Sequence, residues 1–189
     1  MRSSPHQTTA AQAGFTLIEI VVSIVVLGIA LLIVTSVLAP QARNTVDPVM
    51  DVKASELAQT FLNEALAKSY DHNSDHNGSR WRCGETIIGL TIAACSTAGE
   101  LGPDGETRAQ FNDVDDYITN GFISGDALLD SSENIIGNLY PNFSVAIDVV
   151  HDAAGFNGGS GTDIAKRIDV TVRVPSGNEI VFSAYRGNY

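Results

Sequence analysis

Cationic side chains are scarce in this sequence, and so are cysteine and tryptophan. Eleven Lys and Arg stand against 22 Asp and Glu, a formal net charge of −11. Every acid except Glu19 falls after residue 40. So acidic a body lacks the long-range attraction that draws proteins to nucleic acid or anionic lipid, and no nucleic-acid partner is expected. Two cysteines, Cys83 and Cys95, are too few for a zinc site built from paired Cys and His ligands. His72 and His76 have a ligand-like spacing, but Asn73, Ser74, Asn77 and Gly78 make their segment turn-prone. No glycine-rich phosphate loop follows a strand, and the glycines between 155 and 161 fall where a surface loop is expected. No nucleophile elbow or paired-acid arrangement is visible. These absences point away from an enzyme and from an organic cofactor.

Charge is also missing from one long stretch. Between Ile20 and Ala39 there is no ionisable side chain, and Ser23, Thr35 and Ser36 are its only polar ones. As a helix, twenty residues at ~1.5 Å each span ~30 Å, the thickness of a bilayer's hydrocarbon core. One membrane span is expected. The polar stretch 1–13 precedes this run, and a small residue, Gly14, sits before it rather than after it. A secretory signal has the opposite order, with its cleavage site beyond the apolar segment. Cleavage after Gly14 would leave the apolar segment on the mature chain as an anchor.

The junction Gly14-Phe15-Thr16-Leu17-Ile18-Glu19, followed by Ile20-Val-Val-Ser-Ile-Val-Val-Leu-Gly28, resembles the prepilin peptidase site of type IV pilins and pseudopilins. The resemblance implies cleavage after Gly14, N-methylation of the new terminal Phe15 and a register role for Glu19. It also implies insertion in the inner membrane as a single span, with the C-terminal domain in the periplasm, and later residence in an extracellular filament. The partners implied are prepilin peptidase, the inner-membrane assembly machinery and other pilin subunits. Leaders of this family carry Lys or Arg close to the glycine, whereas this one has Gln12 and Ala13, with Arg2 as its one firm cation.

Glu19 invites the same reading on physical grounds. A carboxylate in an apolar span costs ~2.5 kcal/mol or more and usually has a function. The free amine of Phe15 on a neighbouring subunit would pair with it and fix register more than affinity. The alternative is a carboxylate at the interface that favours the helix macrodipole.

Beyond the span, Pro40 and Pro48 mark the interval where a bend or local melting is expected. After Pro48, Val52, Leu57, Phe61, Ala65 and Leu66, with Ala54, Ala58 and Leu62 beside them, form an apolar stripe. Glu64 and Lys68 are placed to pair at i, i+4. The C-terminal quarter alternates as strands. Phe143, Val145, Ile147 and Val149 face one way, and Ile168, Val170, Val172 and Val174 do the same before a turn at 175–178 and a third strand from Glu179. A weaker strand is expected around Ile87, Ile88, Leu90 and Ile92. The fold class is α+β: a long N-terminal helix, transmembrane in its first half and amphipathic in its second, packed on an antiparallel sheet. The expected segments are a leader at 1–14, a membrane and filament-core helix at 15–39, its continuation at 40–72 and a globular β domain at 73–189. If that domain lies outside the cytoplasm, Cys83 and Cys95 are expected to form a disulfide. Two buried thiols are the alternative.

Phe111-Asn-Asp-Val-Asp-Asp-Tyr117 is the most distinctive internal segment. Asp113, Asp115 and Asp116, with Asn112, could bind Ca²⁺ through oxygen ligands. The alternative is a solvated acidic loop over Phe111 and Tyr117. The segment resembles the Phe-Asp-Asp-Val-Asp-Asp-Tyr stretch of minor pilins of the mannose-sensitive haemagglutinin (MSHA) system, departing at Asn112. The combined expectation is a structural minor pilin of such a pilus that starts or modifies assembly. Alternatives are a minor pseudopilin of a type II secretion system and a pilus-associated adhesin, although Trp81 is the sole Trp for stacking on sugars.

Overall fold

The computed structural model describes Gly14 and residues 16–44, 46–76, 80–130 and 132–189, excepting side chains at 37–47. Helix α1 spans Leu17–Asn44 and α2 spans Val46–Leu66. The succession from one to the other falls inside the interval marked by the two prolines. Pro48 stands in the first turn of α2, where a residue without an N–H forfeits no helical hydrogen bond.

The amphipathic helix is shorter than expected. α2 ends at Leu66, and Lys68 N–H closes the last turn by donating to Ala65 O at 3.0 Å. The chain is then captured by a β-bridge between Ser69 and Asp113. Ser69 N–H donates to Asn112 O, and Val114 N–H donates to Ser69 O, both at 3.1 Å. A strand-like partner thus replaces the helical one before residue 72.

The sheet has the order β3-β4-β5-β6, all antiparallel, from β3 (Ile123–Ser124), β4 (Ser144–His151), β5 (Ala165–Arg173) and β6 (Glu179–Gly187). Val145 pairs with Val172, Ile147 with Val170 and Val149 with Ile168, so both apolar rows share one face. Against that face pack Ala54, Leu57, Ala58, Phe61 and Ala65 of α2. Val52, expected on the stripe, is exposed, because Ala54 occupies the inward position of that turn.

Three regions differ from the sequence reading. The segment around Ile87–Ile92 gives only a two-stranded hairpin, β1 (Thr86–Ile87) and β2 (Leu90–Thr91), with Ile88 fully exposed at its tip. Gly89 follows with φ of +81°, a conformation that glycine adopts without strain. The loop after β4 contains a short helix, α3 (Ala153–Asn157), capped by Asp152, whose carboxylate accepts from Gly155 N–H at 2.8 Å. Strand β3 was not expected at all: two residues are too few to show an alternation.

Candidate functional site

Thr16 begins α1. Its carbonyl accepts from Glu19 and Ile20 N–H at 3.1 and 3.3 Å, and its Oγ1 accepts from Glu19 N–H at 3.3 Å. Thr16 is thus an N-cap with Glu19 in the first turn, where a carboxylate complements the helix dipole. The Thr-x-x-Glu spacing is the sequence signal for this cap. Side chains from Leu17 to Ser36 are exposed, and that twenty-residue stretch is long and apolar enough to cross a membrane. Its hydroxyls bond back to their own helix: Ser23 Oγ donates to Glu19 O at 2.7 Å, and Thr35 Oγ1 to Leu31 O at 2.9 Å. Such a helix presents almost nothing polar sideways except the Glu19 carboxylate. Gly14 is exposed, and Phe15 lies outside the described residues.

Cys83 and Cys95 form a disulfide, with Cα atoms 4.8 Å apart and a sequence separation of 12. In the loop-entropy account such a closure is worth about 3 kcal/mol. Both sulfurs are buried with Tyr70 in a small cluster of their own. Tyr70 hydroxyl donates to Thr162 O at 2.6 Å, which ties this cluster to the approach to β5.

The 111–117 segment lies inside the domain. Asp113, Asp115 and Asp116 are at most 2% exposed, as are Val114 and Tyr117. A solvated acidic loop is therefore excluded, and the reason is Lys166. Its ammonium, also fully buried, contacts Asp115 Oδ1 and lies 2.9 Å from Asp71 Oδ2. The other carboxylates hold backbone. Asp113 Oδ1 accepts from Asp115 and Asp116 N–H at 3.1 and 3.3 Å. Asp116 Oδ2 accepts from Asn112 and Asp113 N–H at 2.7 and 3.0 Å. Among the described residues, no three acidic, His or Cys side chains gather as a metal ion would require. The cation that this segment receives is an ammonium from β5.

Electrostatics differ sharply within the cluster. Burial raises the Asp71 carboxyl, but the Lys166 charge and hydrogen bonds from Lys166, Asn73 and Ser96 outweigh it and keep that group below the usual range. Burial, then the charges of Asp115 and Asp116, push Asp113 up to about 8 against the opposing pull of Lys166. Asp113 Oδ2 has no hydrogen-bond partner.

The expected Glu64–Lys68 pair does not form. Glu64 accepts from Arg108 Nη2 at 2.6 Å and from Tyr117 hydroxyl at 3.0 Å, while Lys68 Nζ donates to Phe111 O at 2.6 Å. Arg108 lies over Phe61, Phe111 and Tyr117 at 4.5–5.4 Å from the ring centres. Glu64 in α2 and Lys68 just beyond its end are thus used to hold the 106–117 segment in place.

A family model described as the prokaryotic N-terminal methylation motif matches residues 9–35. The chain carries a type IV pilin-like signal. No curated protein and no solved structure matches the chain. The signal supports the pilin and pseudopilin family and points to a structural subunit that prepilin peptidase processes and that assembles with other pilins. The architecture, an apolar N-terminal helix followed by an antiparallel sheet, is consistent with a type IV pilin fold. The apolar helix and the signal together are consistent with membrane anchoring.

Sequence reasoning missed Lys166 and Asp71. Lys166 had a readable signal: it lies in phase with Ile168, Val170 and Val172, the inward row of β5, and with Val174 just beyond it. An alternation extended one step further would have placed a cation in the core and required an acid to meet it.

Proposed function

We propose that this chain is a structural, non-catalytic minor pilin of an MSHA-type pilus, cut between Gly14 and Phe15 and methylated on Phe15. The observation that carries this reading is the methylation signal at residues 9–35, which runs into and covers most of the exposed apolar stretch Leu17–Ser36. Residues 1–14 are the leader, 15–39 the membrane and later filament-core helix, and the domain beyond faces the periplasm before export. The likeness of residues 111–117 to the minor-pilin segment supports the MSHA assignment. Burying α1 among neighbouring helices drives assembly. The Glu19 carboxylate, alone on an apolar surface, takes a neighbour's Phe15 amine and sets the stagger between subunits.

The test is the mass and N-terminus of the protein with and without the host's prepilin peptidase. A mature chain beginning at N-methylated Phe15, lost in the peptidase mutant, is the expected result. An uncut chain in both strains overturns the proposal. A Glu19→Val variant is expected to be cut normally yet to vanish almost completely from sheared filaments. Incorporation at the wild-type level would remove Glu19 from the register role.

A further inference from the structure

Lys166 is fully buried, and among the described residues no other Lys or Arg is. Its Nζ contacts Asp115 Oδ1 and stands 2.9 Å from Asp71 Oδ2, with all three side chains at most 2% exposed. The groups around it do not compete for the ammonium. The Tyr70 ring centre is 4.8 Å from Nζ, and its hydroxyl is committed to Thr162 O. His151 is paired across the strands with Lys166, and its Nε2 is committed to Ser96 O at 2.9 Å. An amine, a carboxyl carbon and a second carboxylate are therefore held together in a site from which water is excluded.

Two opposite charges kept dry and in contact are an expensive ground state, because each ion has lost several kcal/mol of hydration. Condensing them to a neutral amide removes that cost. In bulk water the reverse reaction is favoured, but groups fixed in reacting geometry reach effective concentrations of ~10⁵–10⁸ M. Burial also keeps water scarce at the new bond, which opposes hydrolysis.

We propose that Lys166 and Asp115 become joined by an intramolecular isopeptide bond, Nζ to Cγ, formed by the folded chain itself with Asp71 as its acid–base group. Asp71 accepts a proton from the ammonium, and the freed lone pair attacks Cγ of Asp115. Asp71 hands that proton to the departing Asp115 oxygen, then takes a second proton from the nitrogen, which the attack has left positively charged, and passes it to the same oxygen. Of the three ammonium protons, one stays on the amide nitrogen and two leave with that oxygen as water. The sum is ammonium plus carboxylate to secondary amide plus one water, and Asp71 ends as it began. Asp71 is aimed for this role by donors at both of its oxygens: Asn73 N–H at 3.1 Å and Ser96 Oγ at 3.2 Å on Oδ1, and Ser96 N–H at 3.0 Å on Oδ2 beside Lys166. The same bonds, with the Lys166 charge, keep it ionised. Afterwards the new amide N–H donates to Asp71. The bond closes the chain from 115 to 166 around β3, β4 and α3, and fastens the buried acidic segment to β5.

The full chain, extracted in detergent and reduced, is digested with a protease that cuts after glutamate and analysed by mass spectrometry. Unlinked, the region yields Thr107–Glu133 and Asn134–Glu179 as separate peptides. The proposal expects one branched species, lighter than their sum by one water, with fragmentation placing the branch at Asp115 and Lys166. Separate peptides at full mass overturn it, and that digest decides the bond without any variant. Lys166→Arg keeps the charge but is expected to give separate peptides. Asp71→Asn, which leaves both linked residues in place, is expected to do the same, and a linked product there would overturn its acid–base role.

Discussion

Replacing Lys166 with Met is expected to destabilise the globular domain by ~3–5 kcal/mol, because removing one partner of a buried pair strands the other. Here two are stranded: Asp71 and Asp115 are both buried and share the one ammonium. The measurement is urea unfolding of the detergent-solubilised chain, followed by the circular dichroism of the sheet. Met matches the length and apolar volume of the Lys stem, so the loss reports on Nζ, as a charge or as a bond to Asp115, rather than on a cavity. Adding Asp71→Asn and Asp115→Asn to Lys166→Met is expected to restore part of the lost stability, since the stranded charges are then gone. A Lys166→Met chain within ~1 kcal/mol of wild type would mean that the cluster does not hold the domain together.

That cluster also shows where sequence legibility ended. Strands β4 and β5 were readable because each has one face toward α2 and one toward solvent, which writes the period of two directly into the residues. The inward stripe of α2 was readable for the same reason at helical period. The 111–117 segment has no period. Its three aspartates look like surface residues, and only the fold brings Lys166 across a separation of 51 residues to meet Asp115. The charge pair expected at the end of α2 failed likewise. A local i, i+4 rule sees Glu64 and Lys68, but Arg108 and the Phe111 carbonyl, more than forty residues away, offer both groups partners in drier surroundings. Local spacing therefore located the elements and the N-terminal signal, while the polar core depended on contacts that spacing cannot encode.

Asp113→Asn is expected to change how stability depends on pH rather than merely to lower it. Asp113 is fully buried, and burial is the largest cause of its rise to about 8, ahead of the charges of Asp115 and Asp116. In the unfolded chain an aspartate titrates near ~3.9. Between those two values the folded state binds one proton more than the unfolded state. The contribution of Asp113 to stability is therefore fully present below pH ~4 and is lost as pH rises through about 8. The slope for one proton is ~1.4 kcal/mol per pH unit. Asp71, with its lowered value, acts in the opposite sense, contributing stability that is lost as pH falls through its folded value. Comparing wild type with the single variant cancels that term. Asn keeps the Oδ1 acceptor for the Asp115 and Asp116 N–H groups and places a neutral amide where the proton would be. Unfolding midpoints measured from pH 5 to pH 9 are expected to fall less steeply for Asp113→Asn, leaving the variant relatively more stable at pH 8 than at pH 5. Because burial is the leading cause, that difference is expected whether Lys166 and Asp115 are an ion pair or an amide. Parallel profiles would show that Asp113 is ionised in the folded domain throughout, and that its unpartnered Oδ2 carries no proton.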